Sequence, residues 1–371
     1  MKKISKVLIL TVAYGNGHKS AAEALAESFT ENGIRVRVED PCEADTSGLY
    51  SLSKLYYRFC VRRAPWLWSV AYSQTQNADW HAMVTWPLVN TATFRLRDVL
   101  HSWKPDMVVC TYPLFAYMMD YLRANGESNI PCAVVVTDSI EISKPWVKSH
   151  ADLIFVPDEY SRALLMERYG IDEHRIVSGG FPVRKAFLNT EKKSIADSGN
   201  LKILFSVFTS PKMAAQQICA LLSNFRSAQI VVIAGQYYDC LLRSMHNFIQ
   251  TGDVVVLKHA ANMHELMSQA HIYIGKTGAA TMFECYAAGV PFIVNYALPG
   301  QEQGNMELLL RDGCGVRVNE TDDLCSAVLE LMASGARKWL LIRDNMLSKV
   351  NRVRGAETIV EYLTNYFGDE P

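Results

Sequence analysis

One stretch, residues 271–305, permits very few folds. It reads HIYIGKTGAATMFECYAAGVPFIVNYALPGQEQGN. A short apolar run, Ile272-Tyr273-Ile274, ends in Gly275-Lys276-Thr277-Gly278. A helix-like segment carrying a single acid, Glu284, closes at Gly289-Val290-Pro291. A second apolar run, Phe292-Ile293-Val294, leads into Pro299-Gly300-Gln301-Glu302-Gln303-Gly304-Asn305. Strand, glycine turn, helix, strand and polar turn make a βαβ unit, which requires parallel strands with helices laid over them. Sheets of that kind bind ligands outside the carboxyl ends of their strands. Gly275 and Gly278 allow a sharp turn and a close approach of backbone to ligand. Thr277 or Thr281 is placed to cap the helix, whose free N–H groups and dipole favour an anion. Glu284, expected early in the helix, suits a pair of neighbouring sugar hydroxyls. The two amides and one acid of the polar turn suit a polyol. Phosphate, ribose and hexose together describe a nucleotide-sugar site; the competing reading is an ordinary buried βαβ unit with a capped helix.

The same rhythm begins at the other end of the chain. Val7–Val12 is an all-apolar strand, the pattern of a strand buried on both faces. It is followed by Ala13-Tyr14-Gly15-Asn16-Gly17-His18-Lys19-Ser20 and a helix to Asn32, closed by Gly33. His18 is either a candidate base, since imidazole titrates near neutral pH, or a solvated histidine at a helix start. Strands are predicted at 34–38, 106–111, 133–138, 153–157 and 176–177. Asp138, at the carboxyl end of one of them, is a candidate base or acceptor-orienting group, or else the N-cap of the next segment. Polar residues 189–200 (NTEKKSIADSGN) read as a linker. Beyond it, strands at 202–205, 230–234 and 254–257 alternate with helices at 212–226, 238–249 and 262–269. Helices at 322–334, 337–349 and 356–367 finish the chain. The expected class is α/β, with domains at 1–188 and 201–350 and a final helix, 351–371, able to cross back to the first domain.

With 371 residues, two domains are the expectation. A net charge of −1 gives no global attraction to nucleic acid. The nine cysteines are scattered without a CxxC pair, several inside apolar runs, as in a reducing compartment. The apolar run after Met1-Lys2-Lys3 is too short for a signal peptide, and no run reaches transmembrane length. The expected location is cytoplasmic, with peripheral membrane contact. Residues 50–103 differ from the rest: five of the seven tryptophans lie there (Trp66, Trp68, Trp80, Trp86, Trp103), among Arg58, Arg62, Arg63, Arg95 and Arg97. Amphipathic rings interleaved with cations suit an anionic lipid interface; the alternative is a helical insertion packed on the sheet.

Three blocks in order, TVAYGNGHKSAAEAL, VVTD with Trp146 shortly after, and GKTGAATMFECYAAGVPFIVNYALPGQEQGN, resemble the diacylglycerol glycosyltransferases of the processive glucosyltransferase and galactolipid-synthase type. These stand in the group that includes the peptidoglycan N-acetylglucosamine transferase (glycosyltransferase family 28). Gly180-Phe181-Pro182-Val183-Arg184 is similar to that family's segment before the interdomain linker. The resemblance, over residues 5–320, implies a GT-B fold: two Rossmann-like doubly wound domains facing a cleft. It implies an inverting transfer of hexose from a UDP-sugar to a lipid acceptor, with no metal or other cofactor. By position, His18 and Asp138 are the catalytic candidates. The donor would be held by Lys276, Gly278, Thr281, Glu284, Gln301, Glu302 and Asn305, with Arg184, Ser206 and Thr209. Gly15, Asn16, Gly17, Arg62, Arg63, Trp66 and Trp68 would face the acceptor and an anionic membrane surface. The chain departs from the family twice. Ser206-Val207-Phe208-Thr209-Ser210-Pro211 lacks the usual glycines, and SIEISKP, between Thr137-Asp138 and Trp146, lacks a histidine. Those departures keep open a UDP-sugar epimerase or hydrolase and an inactive lipid- or sugar-binding relative.

Overall fold

The computed structural model describes residues 4–13, 16–44, 48–63, 65–189, 200–298 and 301–367, apart from the side chains at 16, 44, 49, 61–63, 65, 68 and 301. It divides into two compact units. The first is Met1–Arg184 with Pro299–Gly304 and Asn351–Pro371; the second is Lys185–Leu298 with Asn305–Val350. Most of the expected linker, residues 190–199, lies outside the described residues.

The first unit carries six parallel strands: β1 (Lys6–Leu10), β2 (Arg35–Glu39), β3 (Met107–Cys110), β4 (Cys132–Val135), β5 (Leu153–Val156) and β6 (Ile176–Ser178), in the order β2-β1-β3-β4-β5-β6. Successive side chains of a strand point to opposite faces, and here both faces are covered. Leu8, Leu10, Val108, Cys110 and Val134 enter one core cluster, while Val7, Ile9, Met107, Val109, Ala133 and Val135 enter the other. This double burial is why the strands read as unbroken apolar runs. The connections are α1 (Asn16–Glu31), a helical insertion of α2 (Leu49–Arg63), α3 (Pro65–Asn77), α4 (Trp80–Met83) and α5 (Pro87–Trp103), then α6 (Pro113–Ala124) and α7 (Glu159–Tyr169).

The second unit opens with α8 (Lys185–Leu188). It has strands β7 (Lys202–Ser206), β8 (Gln229–Ile233), β9 (Val254–Leu257), β10 (Ile272–Lys276), β11 (Phe292–Tyr296) and β12 (Gly315–Arg317), all parallel in the order β12-β11-β10-β7-β8-β9. The helices are α9 (Pro211–Asn224), α10 (Tyr238–Ser244), α11 (His246–Gln250), α12 (Met263–Gln269), α13 (Ala279–Ala288), α14 (Gln301–Arg311) and α15 (Thr321–Ser348), while α16 (Val350–Val353) falls in the first unit from its second residue on. Four details correct the sequence reading. The polar stretch 301–305 is the opening of α14 and not a turn; its apolar face begins only with buried Leu308 and Leu309. The helix expected at 238–249 is two helices. Gly275 lies inside β10, where a Cβ would strike the Tyr273 ring, so it does not make the turn. The short edge strand β12 has no apolar run to announce it. Helix α15 is broken by non-helical backbone at Ala333–Ala336, between the two helices expected there.

The last helix, α17 (Gly355–Tyr366), belongs to the first unit. Its Ile359, Val360 and Leu363 share a core cluster with Ala22, Leu25 and Phe29 of α1. The return is fastened beside β6. Phe181 N–H donates to Arg352 O at 2.7 Å, and Gly355 N–H donates to Phe181 O at 3.2 Å. Gly180 sits there at φ +83°, and a Cβ on it would lie 2.6 Å from Asn351 O. Gly252 is a natural control, at φ +81° with nothing near its missing Cβ. An L-residue in this region costs roughly 1–2 kcal/mol. Gly252→Ala is expected to lose about that much in urea unfolding. Gly180→Ala should lose clearly more, because backbone must also move. Equal losses would mean that the close approach at 180 is not what requires glycine.

Candidate active site

In the first unit the connections diverge between β1 and β3, and the candidate residues gather at the carboxyl ends of those strands and of β4, the usual ligand edge of such a sheet. His18 stands in the first turn of α1, half-buried. Its Nδ1 lies 2.8 Å from Thr137 Oγ1. Its ring meets Tyr112 edge-on at 5.2 Å and lies 6.0 Å from the Trp146 ring. Burial lowers the imidazole pKa to about 4, against a smaller opposing effect of a hydrogen bond to the Thr111 backbone. The ring is therefore neutral at neutral pH. Asp138 is buried and accepts a hydrogen bond from Trp146 Nε1 at 2.9 Å. It is not an N-cap: the short 3₁₀ turn at Lys144–Trp146 is preceded by Ser143.

The sheet thus brings His18 and Asp138 to one place, through the adjacent Thr137 and the shared neighbour Trp146. Thr137 and Tyr112 are the partners that sequence reasoning did not single out; the threonine of the VVTD block was the only signal. The loop beyond Asp138 is strained, with buried Ile140 at φ +57°. A β-branched residue there is a genuine outlier. It is held by Ser161 Oγ, which accepts from Ile140 N–H at 3.1 Å and donates to Asp158 Oδ2 at 3.0 Å. Gly17 follows Asn16 in α1 with open space where a Cβ would be. Gly15 and the Asn16 side chain lie outside the described residues.

In the second unit the corresponding divergence lies between β7 and β10. Buried Ser206 ends β7, and Ser210 caps α9, accepting from Met213 N–H at 3.2 Å. Lys276 ends β10 and places Nζ 5.0 Å from the centre of the exposed Phe208 ring, a cation–π contact across the two loops. Gly278 is the N-cap of α13, with extended backbone and no side-chain cap. Neither Thr277 nor Thr281 performs the capping expected of it. Thr277 is buried, and its carbonyl accepts from Asn305 Nδ2 at 3.2 Å, tying the start of α14 to the turn. Thr281 is half-buried in the first turn, and Glu284 is buried in the second turn, later than expected.

Lys276, Gly278, Thr281, Glu284, Asn305, Ser206 and Thr209 therefore belong to one unit and one edge. Glu302 is buried in the first turn of α14, in the segment grouped with the first unit; the Gln301 side chain lies outside the described residues. Arg184 is the last residue of the first unit. Two buried polar atoms of this second site have no hydrogen-bond partner among the described residues, Thr209 Oγ1 and Asn295 Oδ1. Asn295 Nδ2 donates to Gln217 Oε1 of α9 at 3.0 Å. Orphaned buried polar atoms at a strand edge are what a polar ligand satisfies. Asn295 and Gln217 were missed because each sits in an otherwise apolar strand or helix.

The insertion α2–α5 divides its aromatic residues between core and solvent. Trp80 and Trp103 pack against the core. Trp66 is 69% exposed and Trp86 is exposed. On α2, Leu52, Leu55, Tyr56 and Phe59 are all exposed, and their spacing puts them on one helix face. The side chains of Arg62, Arg63 and Trp68 lie outside the described residues. Among the described residues no helix is long and apolar enough to cross a membrane.

Residues 18–183 match the monogalactosyldiacylglycerol (MGDG) synthase family, and residues 202–337 match the glycosyltransferase family 28 C-terminal domain. A processive diacylglycerol beta-glucosyltransferase of Bacillus cytotoxicus is 27% identical over 377 residues, covering 98% of this chain and 94% of that protein. Among solved structures, MurG of Acinetobacter baumannii superposes with a TM-score of 0.62 at 14% identity, over 97% of this chain and 99% of that one. The UDP-GlcNAc 2-epimerase of Neisseria meningitidis gives 0.60 at 14% identity, over 96% and 99%. These likenesses establish the GT-B class of the fold.

The His18 environment makes a direct prediction. A histidine that titrates near 4 when folded and at 6.5 when unfolded contributes its full share of stability above pH 6.5. That share falls away as the pH drops from 6.5 toward 4. Imidazole resonances assigned by loss in His18→Gln should titrate with a midpoint near 4. A midpoint near 6.5 would show that the ring is solvated.

Proposed function

The chain belongs to the MGDG synthase type of glycosyltransferase with a family 28 C-terminal domain, and on that premise we propose that it is an inverting, UDP-sugar-dependent hexosyltransferase acting on diacylglycerol at a membrane surface. One observation carries the reading: each half that matches its family also holds an assembled strand-edge site, with neutral His18 in the first and Glu284 beside an uncapped helix start in the second. UDP-glucose or UDP-galactose supplies an α-linked hexose. The acceptor oxygen attacks the anomeric carbon from the opposite face, the bond to the diphosphate breaks, and the hydroxyl proton passes to His18. Because His18 is a weak base, proton transfer accompanies C–O bond formation, when the hydroxyl becomes acidic. Asp138, held by Trp146, orients the acceptor. The departing diphosphate gathers charge at the N–H groups of Gly278–Thr281, with Lys276 assisting. Glu284 accepts hydrogen bonds from the ribose, and Gln301, Glu302 and Asn305 hold the diphosphate or hexose. Nothing in this route calls for a metal.

Lipid is the acceptor class favoured by the exposed face of α2 and by Trp66 and Trp86, which suit a headgroup layer. Anionic lipid is favoured by the arginines of the same insertion. A cytoplasmic-face location is supported by thiols such as Cys110 and Cys132, whose sulfurs lie 3.7 Å apart, beyond disulfide bonding.

Two experiments test this. His18→Ala should remain folded and lose roughly 10²–10⁴-fold in kcat for transfer to diacylglycerol, whereas Glu284→Ala should act mainly on KM for the UDP-sugar. Full activity in both variants sinks the assignment. The double change Leu55→Ser and Phe59→Ser should weaken sedimentation with anionic vesicles by tenfold or more, since each buried side chain is worth roughly 1.5–3 kcal/mol. Transfer to a water-soluble short-chain acceptor should be unchanged. Unaltered sedimentation would remove α2 from the membrane contact.

A further inference from the structure

Outside both candidate sites, three side chains of the first unit converge on one point: His81 of α4, Asp120 of α6 and His150, which follows the Lys144–Trp146 turn. His81 Nε2 lies 3.1 Å from Asp120 Oδ2, and His150 Nδ1 lies 3.3 Å from the same oxygen. All three atoms fall within 4.8 Å of one another. Asp120 is buried, while both histidines reach solvent, with side chains 44% and 76% exposed.

A plain hydrogen-bond cluster accounts poorly for this geometry. His150 also donates its backbone N–H to Asp120 Oδ2, at 2.8 Å. Three donors then compete for one carboxylate oxygen, which has about two lone pairs to offer. A cation placed between the two ring nitrogens and the oxygen resolves the competition. The backbone N–H keeps one lone pair, the ion takes the other, and both imidazoles bind it as neutral ligands. The spacing agrees. Zinc–nitrogen and zinc–oxygen bonds of about 2.0–2.2 Å at tetrahedral angles put ligand atoms roughly 3.3–3.5 Å apart, close to the 3.1 and 3.3 Å separations here.

We propose that His81, Asp120 and His150 form a binding site for a divalent cation of the zinc class. Two imidazoles and one carboxylate are the donor set of zinc and its neighbours, and a poor match to magnesium or calcium, which prefer oxygen alone. The fourth position faces solvent. The backbone N–H of His150 orients the carboxylate, as outer partners do in metal sites. The three ligands come from separate elements, so the ion clamps the short helix α4, within the aromatic insertion, to α6 and the 144–150 loop. That clamp also borders a cavity of about 390 Å³, lined by His81, Tyr117, Lys144, Pro145 and Lys148 among others. Its far wall is the 3₁₀ turn whose Trp146 holds Asp138, and Tyr117 OH donates to Pro145 O at 3.0 Å. The ion thus braces the loop behind the acceptor side without entering the transfer chemistry.

The test uses tag-free, full-length protein stripped with chelator. Titration with Zn²⁺ by calorimetry and with Co²⁺ by its visible absorption should each give one ion per chain, with the cobalt band in the range of four- or five-coordinate sites. His150→Ala and His81→Ala should each weaken binding tenfold or more. His150 is an exposed loop residue, so its variant stays folded even if His81→Ala does not. Saturating zinc should raise the thermal midpoint of the parent protein and leave that of His150→Ala in place. A parent chain that binds no ion overturns the proposal, as does one that binds it as tightly after His150→Ala. None of these readouts involves sugar transfer, so a failed transferase assay leaves the outcome intact.

Discussion

All strands of each sheet run the same way, and that constraint governs the rest of the molecule. A parallel pair is closed only by a crossover, so every return must pass over a face of the sheet. Both faces are then covered, as the two core clusters of the first unit show. Every strand-to-helix loop leaves from one edge, and the helix that follows aims its unpaired N–H groups back toward it. Residues far apart in sequence are delivered to neighbouring places by topology alone. His18 after β1, Tyr112 after β3 and Thr137 after β4 meet because β1, β3 and β4 are consecutive in the sheet.

The same constraint explains what could be read from the sequence. A strand buried on both faces leaves no polar alternation, so runs such as VLIL at 7–10 and LIFV at 153–156 identify themselves. A helix with a glycine stop is equally plain, as at the amino end of the chain, where the helix expected to run to Asn32 before Gly33 is α1. The residues after the strands could be named as candidates for the topological reason above, and the structure places His18, Asp138, Ser206 and Lys276 at or beyond the carboxyl ends of their strands. Legibility failed where local chemistry disguised the period. Gln301-Glu302-Gln303-Gly304-Asn305 carries turn-like residues through a full helical turn, and the apolar stripe of α14 appears only beyond it. Glycine was over-read at 275, where its small size accommodates an aromatic ring and its backbone freedom is unused. The His81–Asp120–His150 cluster could not have been found at all, since its members are 30 and 39 residues apart on a helix, a loop and a four-residue helix.

Electrostatics divides the two strand-edge sites. In the first, burial removes charge from His18, and Asp138 accepts a hydrogen bond from the Trp146 indole N–H. A neutral imidazole and a fixed carboxyl group suit an uncharged hydroxyl. In the second, the helix start has no side chain to quench it, and Lys276 stands at the strand end. Helix N–H groups left without a side-chain cap suit an anion.

The glycine-poor loop at 206–211 differs from a glycine loop in what it presents. Where glycines would bring backbone amides to a phosphate, this chain presents Ser206, an orphaned Thr209 hydroxyl and the exposed ring of Phe208. The ring faces Lys276, 5.0 Å from its ammonium. Such a contact is worth roughly 0.5–1 kcal/mol at an exposed position, less than a charge-assisted bond to phosphate. In the second loop of the unit, Lys276 ends β10 and Gly278 opens the uncapped turn of α13. Asn305, bonded to the Thr277 carbonyl, fixes the shape of that turn from outside it.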